Sequence, residues 1–160
     1  MTKKKKILIG ILVVLILAGM WMKKPRTVYE IVKKEIALED ESMPAQLCTI
    51  INLPWEEDAA MRRAEIVAKE DFGKVIAALR GTEVSVSSFR MRDVVTYKKG
   101  TDCYELRFYL SEWYPATKEI CFLTDGKVYY GNWVYKIKGD HPEKMTGLLE
   151  ELLREYEATS

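Results

Sequence analysis

A nucleophilic enzyme needs a nucleophile, a base and a group that orients the base, and this chain offers one histidine, His141, and three cysteines, Cys48, Cys103 and Cys121. His141 stands between Asp140 and Pro142 ahead of a C-terminal helical pattern, where a solvated residue at a helix start is the expected reading. A pairing of His141 with Cys103 or Cys121 is the alternative. No CxxC occurs, so neither a zinc ribbon nor a dithiol redox motif is indicated. The acidic groups Glu39-Asp40-Glu41 and Glu56-Glu57-Asp58 lack the alternating ligands and the glycine of a calcium loop, and no glycine-rich phosphate loop is present. No catalytic, metal or cofactor residues are therefore assigned, and a non-enzyme is expected.

The remaining concentration of chemistry is aromatic. Trp113, Tyr114, Tyr129, Tyr130, Trp133 and Tyr135 fall within 23 residues, and Trp113-Tyr114-Pro115 is read as a loop between strands. Aromatics presented by loops and sheet edges anchor proteins, peptides and sugars, so Trp113, Tyr114, Tyr130 and Trp133 are the candidate partner-binding residues. The competing assignment places Trp133 and Tyr135 in the core and uses Trp113 to cover the end of a sheet.

The elements that must position these residues start with a membrane segment. Lys3 to Lys6 precede sixteen uncharged residues, Ile7 to Met22, which end at Lys23 and Lys24. As a helix this run covers roughly 24 Å, a little short of the hydrocarbon core, and flanking lysines make up the difference by snorkelling. Trp21 falls where an interfacial aromatic belt would be. Bulky Met20, Trp21 and Met22 spoil a cleavage site after Ala18-Gly19, so an uncleaved signal anchor over residues 1–24 is expected rather than a removed leader. The basic N-terminus favours a cytoplasmic start and an extracytoplasmic C-terminal domain, although Lys23, Lys24, Arg26, Lys33 and Lys34 weaken the asymmetry.

Residues 25–44 read as a juxtamembrane stalk and linker: Thr27 caps a helix with Val28, Ile31, Val32 and Ile36 on one stripe, free to pack on the domain or lie on the membrane. Residues 45–160 read as one α+β domain. Gln46 to Leu53 is strand-like and ends at Pro54 as an edge or first strand, Arg62 to Val67 is a second strand, and Phe72, Val75, Ile76 and Leu79 share a helix face. Glu83 to Phe89, Val94 to Tyr97, Cys103 to Leu110, Glu119 to Thr124, Lys127 to Tyr130 and Trp133 to Ile137 follow as strands, with Asp125-Gly126 as a hairpin turn. Asp140 and Glu143 suggest a capping box for a last helix burying Met145, Leu148, Leu149, Leu152 and Tyr156. The fold class is an N-terminal transmembrane helix and short stalk, then an antiparallel β-sheet with helices packed on one face and water on the other.

Six of the 25 basic residues lie in the first 24 positions, leaving 19 against 24 acidic ones, which disfavours nucleic acid as a partner. If Leu110 lies opposite Glu119, Cys103 falls opposite Gly126, five residues from Cys121, and roughly 16 Å separates the two thiols. Three unpaired thiols acting as small hydrophobes are therefore expected, with Cys48 left open to pair with one of the others.

The order of elements from about Gln46 to Tyr156, the Lys69-Glu70-Asp71 start of the helix and the closing run Tyr129-Tyr130-Gly131-Asn132-Trp133-Val134-Tyr135-Lys136-Ile137 resemble a family of small exported Firmicute proteins classed as a domain of unknown function. The resemblance covers about two thirds of the chain. Members carry an N-terminal anchor or a lipoprotein signal; in this chain Met20 stands where the lipidated cysteine would be. The resemblance implies export and an α+β fold, and brings no activity or site residues with it. The expected function is a membrane-anchored binding module for an envelope protein, peptide or wall glycan, with an accessory subunit of a membrane complex as the alternative.

Overall fold

Hydrophobic alternation from Leu47 onward builds most of one antiparallel sheet, and the three amphipathic helices have a single face of it to cover. The computed structural model describes residues 3–36, 47–56, 59–66, 68–90, 98–111, 114–115, 119–139 and 142–157. The elements in chain order are α1 (Lys3–Lys23), β1 (Arg26–Thr27), α2 (Val28–Ile36), β2 (Leu47–Leu53), β3 (Arg62–Ile66), α3 (Lys69–Gly81), β4 (Glu83–Phe89), β5 (Cys103–Ser111), β6 (Tyr114–Pro115), β7 (Ile120–Leu123), β8 (Lys127–Tyr130), β9 (Trp133–Ile137) and α4 (Glu143–Glu157). The α+β class is as the sequence pattern predicts. Val94 to Tyr97, Glu39 to Pro44, Trp113, Asp140 and His141 lie outside the described residues.

Helix α1 is long and apolar enough to cross a membrane, and none of its apolar window is buried against the rest of the protein. Pro25, two residues beyond its end, cannot continue it.

The sheet runs β1-β4-β9-β8-β7-β5-β2-β3, every pair antiparallel, with β6 beside β5. Strand β2 is not an edge; it sits between β3 and β5, and Pro54 falls just past its last paired residue, Leu53. Because β3 closes one end of the sheet and β4 lies near the other, α3 has to cross a face to connect them. That face carries Ile50, Leu106, Phe108, Ile120 and Phe122, all fully buried, with Val75 and Leu79 of α3 and Leu149, Leu152 and Leu153 of α4 against them. Phe72 meets Phe108 edge to face at 5.7 Å.

The segment after α1 is not a free stalk. Its first two residues pair with β4, Arg26 opposite Val84, and the Val28 amide donates to the Thr82 carbonyl at 2.9 Å. Thr27 and Glu30 form a reciprocal capping box, each side chain accepting from the other's amide at 3.1 and 2.9 Å. Val28 and Val32 are buried in the domain core and Ile31 packs against it, so burial rather than the membrane surface takes the apolar stripe.

Two expectations about the other face are overturned. It is not simply wet: Cys103, Cys121, Leu123, Tyr129 and Val134 form a second buried cluster with Leu53 against it. The alternation Glu105, Arg107, Tyr109 suggests a solvated face, but the register lines up Cys103 with Leu123 and Cys121 with Tyr129, which gathers the apolar members into one patch. The register also differs from the hairpin that the sequence suggests. Pairing continues past Leu110 to Ser111 opposite Tyr114, so Tyr114–Pro115 is a strand and not a loop, and an irregular step sets Leu106 opposite Ile120 and Glu105 opposite Cys121. Cys103 and Cys121 are thus diagonal neighbours on one face, in side-chain contact, rather than roughly 16 Å apart. Diagonal neighbours sit about 7 to 8 Å apart, at or beyond the edge of disulfide geometry, and all three cysteines are free.

Candidate functional site: an aromatic cleft beside helix α1

Strands β8 and β9 are joined by the two residues Gly131-Asn132, and Gly131 adopts φ 53°, a left-handed value that glycine reaches without a Cβ clash. This tight turn sets Tyr130 directly opposite Trp133. On the next strand, a shift of register between Val86 and Ser88 turns Phe89 onto the same face, opposite Trp133, with the rings 5.0 Å apart and 69° from parallel. The Arg90 amide donates to the Asn132 carbonyl at 2.8 Å and ties the strand end to the turn. Tyr129 points to the opposite face, where the Arg90 guanidinium lies 4.3 Å from its ring centre.

The other wall comes from the N-terminal segment. Trp21 of α1 carries the Arg26 guanidinium 4.1 Å above its ring, and Glu30 and Ile31 of α2 complete the wall. Between the walls is a cleft of about 490 Å³. Its floor is formed by Tyr130 and Tyr135, both buried; Trp133 is half-buried; Phe89, at 54% exposure, and Trp21, at 51%, form the rim. Burial pushes the Tyr135 phenol above its ordinary range while the charge of Arg26 draws it back, so Tyr135 is neutral near pH 7 and senses Arg26. A second hollow lined by Met20, Trp21, Lys23 and Lys24 continues the surface along α1.

Two of the four candidate residues, Tyr130 and Trp133, are brought together here. Tyr114 is not: it pairs with Ser111, five residues along β5 from Leu106, which belongs to the row that crosses the sheet through Ile120 and Tyr130 to Trp133. At about 3.3 Å per residue that is roughly 16 Å. Trp113 lies outside the described residues. The cleft also contains residues that the sequence reading does not assign to a site: Trp21, assigned only to the membrane belt, Arg26, assigned only a juxtamembrane charge, and Phe89, a strand end.

Other chemically equipped regions are closed upon themselves. At the opposite end of the helix-covered face, Arg62 of β3 reaches Glu150 at 2.9 Å and Glu157 at 2.8 Å. Tyr104 and Arg154 both donate to Glu150, at 3.0 and 2.6 Å. Burial would raise the Glu150 carboxyl, but the hydrogen bonds from Arg62, Tyr104 and Arg154 outweigh it and hold the group below the usual carboxylate range. Burial, then the bond to Glu150, pushes Tyr104 up to about 12. The thiols are likewise unsuited to attack: burial pushes Cys48 up to about 12, and contact with Cys103, then burial, holds Cys121 above the thiol range, so both stay protonated. Among the described residues no three His, Cys, Asp or Glu side chains gather in a way that would hold a metal ion. Compared with protein-family models, curated proteins and solved structures, the chain finds no match.

Proposed function

We propose that this protein is a non-enzymatic binding module, anchored in the membrane by α1 with its sheet domain on the extracytoplasmic side, that engages its partner through the cleft between Trp21 and Trp133. The observation that carries this reading is the cleft itself. Five aromatic rings converge on it, two of them on an open rim, whereas the cluster of Arg62, Tyr104 and Glu150 is satisfied internally. Exposed aromatic rims around a half-buried anchor are the usual form of a recognition surface. The basic residues Lys3 to Lys6 ahead of the span agree with it. Protonated, buried thiols weigh against a thiol-dependent hydrolase. An accessory subunit held through the α2 stripe is less well supported, since Val28 and Val32 are already spent in this domain's own core.

The test is chemical cross-linking in cells and pull-down of the full anchored chain, compared with Trp133→Ala shown to be folded by its far-ultraviolet spectrum and melting curve. A discrete partner captured by the wild type and lost from Trp133→Ala is expected. Capture that is equal in both would overturn the assignment of this cleft.

A further inference from the structure

The position of the cleft relative to the span restricts what can enter it. Within α1 the uncharged run Ile7 to Met22 covers roughly 24 Å, a little less than the hydrocarbon core, so the lysines that flank it, Lys23 among them, lie at the edges of that core. Only Lys24 and Pro25 separate the end of α1 from β1, a reach of about 7 Å. The domain therefore begins within the headgroup layer, which adds roughly 5 to 7 Å on each side of the core. Trp21 belongs both to the membrane helix and to the cleft wall, so the cleft opens at that layer and not into bulk solvent.

The charge at and beside the mouth is net positive: Arg26, Lys23 and Lys24 outnumber the single carboxylate, Glu30, among the described residues that line it. Arg26 lines the cleft, and Lys23 and Lys24 line the adjoining hollow that shares Trp21 with it. The one acidic neighbour that lines the cleft, Glu30, has a carboxylate oxygen accepting from the Thr27 amide. Arg26 holds its guanidinium 4.1 Å over the Trp21 ring, and an arginine fork can meet a phosphate in bidentate fashion, a geometry that a lysine does not offer. Tyr130, Trp133 and Phe89 behind it supply an apolar and aromatic wall for the glycerol and upper acyl portion of a lipid.

We propose that the occupant of the cleft is the phosphate headgroup of an anionic membrane lipid, held by Arg26 with Lys23 and Lys24 and packed against Trp133 and Phe89. The proposal rests on the reading of the cleft as a binding site and names its ligand. It makes the domain a reader of the membrane that anchors it.

The test uses the full chain in nanodiscs of phosphatidylcholine with and without phosphatidylglycerol, extracted gently and weighed by native mass spectrometry for retained lipid. Retention of phosphatidylglycerol over phosphatidylcholine is expected, lowered about tenfold in Arg26→Gln and in Phe89→Ala and unchanged in Arg63→Gln, an exposed arginine of β3 outside the cleft. Phe89→Ala leaves the β1 pairing intact and keeps the test decisive if Arg26→Gln melts early. Inorganic phosphate alone, added at the same phosphate concentration, is expected not to displace the lipid; displacement would show that the site takes free phosphate and overturn the lipid assignment. Equal retention of both lipids, or equal loss in Arg63→Gln, would also overturn it. A protein partner captured in cells through Trp133 together with no lipid preference would reject the lipid and leave the cleft as a binding site. Loss of both would reject the cleft.

Discussion

The two ends of the helix-covered face of the sheet carry opposite solutions to the same problem. At the β3 end, Arg62, Tyr104, Glu150, Arg154 and Glu157 bond to one another across two strands and α4, and each charge has its partner inside the fold. At the β4 and β9 end, Tyr130, Trp133 and Phe89 face Trp21 and Arg26 across open space. Both ends are rich in side chains that recognise ligands elsewhere, so residue type alone does not separate them. What separates them is saturation: a network with its hydrogen bonds satisfied stabilises the fold, whereas an aromatic rim left half exposed has contact area to give to something else.

Phe108 lies fully buried between the two ends, against Phe72, and Phe108→Ala is expected to cost about 3 to 5 kcal/mol. If the ends belong to one cooperative unit, urea unfolding followed by cleft tryptophan fluorescence and by backbone circular dichroism will shift together; separate transitions would show two units. Arg62→Ala comes next. It removes the arginine from Glu157 and leaves Glu150 with Tyr104 and Arg154, and a loss of about 1 kcal/mol is expected, with partner capture at the cleft unchanged. A large loss of capture in that variant would mean the two ends are coupled.

A pH titration sharpens the same contrast. Glu150 titrates below its ordinary range in the folded chain, so the unfolded chain binds more protons between the two values. Its contribution is complete above about pH 4.3, the ordinary glutamate value, and is lost as the pH falls through the lower folded value. Urea midpoints at about pH 6 and about pH 3 should therefore fall further in the wild type than in Glu150→Gln; equal falls would show that the network does not set acid stability. The smallest effect on stability is expected from Phe89→Ala, within about 0.5 kcal/mol, because the side chain is more than half exposed. Its effect on capture should be several-fold, the reverse of Arg62→Ala.

How far each end can be read from the sequence follows from the length scale of its pattern. The strands and helices follow from local alternation and caps, as at Val84 and Val86, the Thr27 and Glu30 box, and the Asp125-Gly126 turn. The pairing of Tyr130 with Trp133 is also local, fixed by two turn residues. Phe89 is not: strict alternation from Val84 places it on the other face, and only the register shift after Val86 brings it to Trp133. The hairpin register of β5 also fails: pairing runs on to Ser111 opposite Tyr114, with a shift between Tyr109 and Ser111, where the sequence suggests a loop, and Leu106 falls opposite Ile120 and Glu105 opposite Cys121. Trp21 and Arg26 carry a membrane signal strong enough to hide a second role, and Arg62 with Glu150 joins residues 88 apart, which no spacing rule reaches.

The most direct test of the central claim is site-specific photo-crosslinking of the full chain in cells, with the photoreactive side chain placed at Phe89 in one variant and at Arg154, exposed at the charged end, in another. The account predicts a discrete adduct from position 89 that disappears when Trp133→Ala is added, and only diffuse background from position 154. A discrete adduct from position 154 with none from position 89 would contradict it.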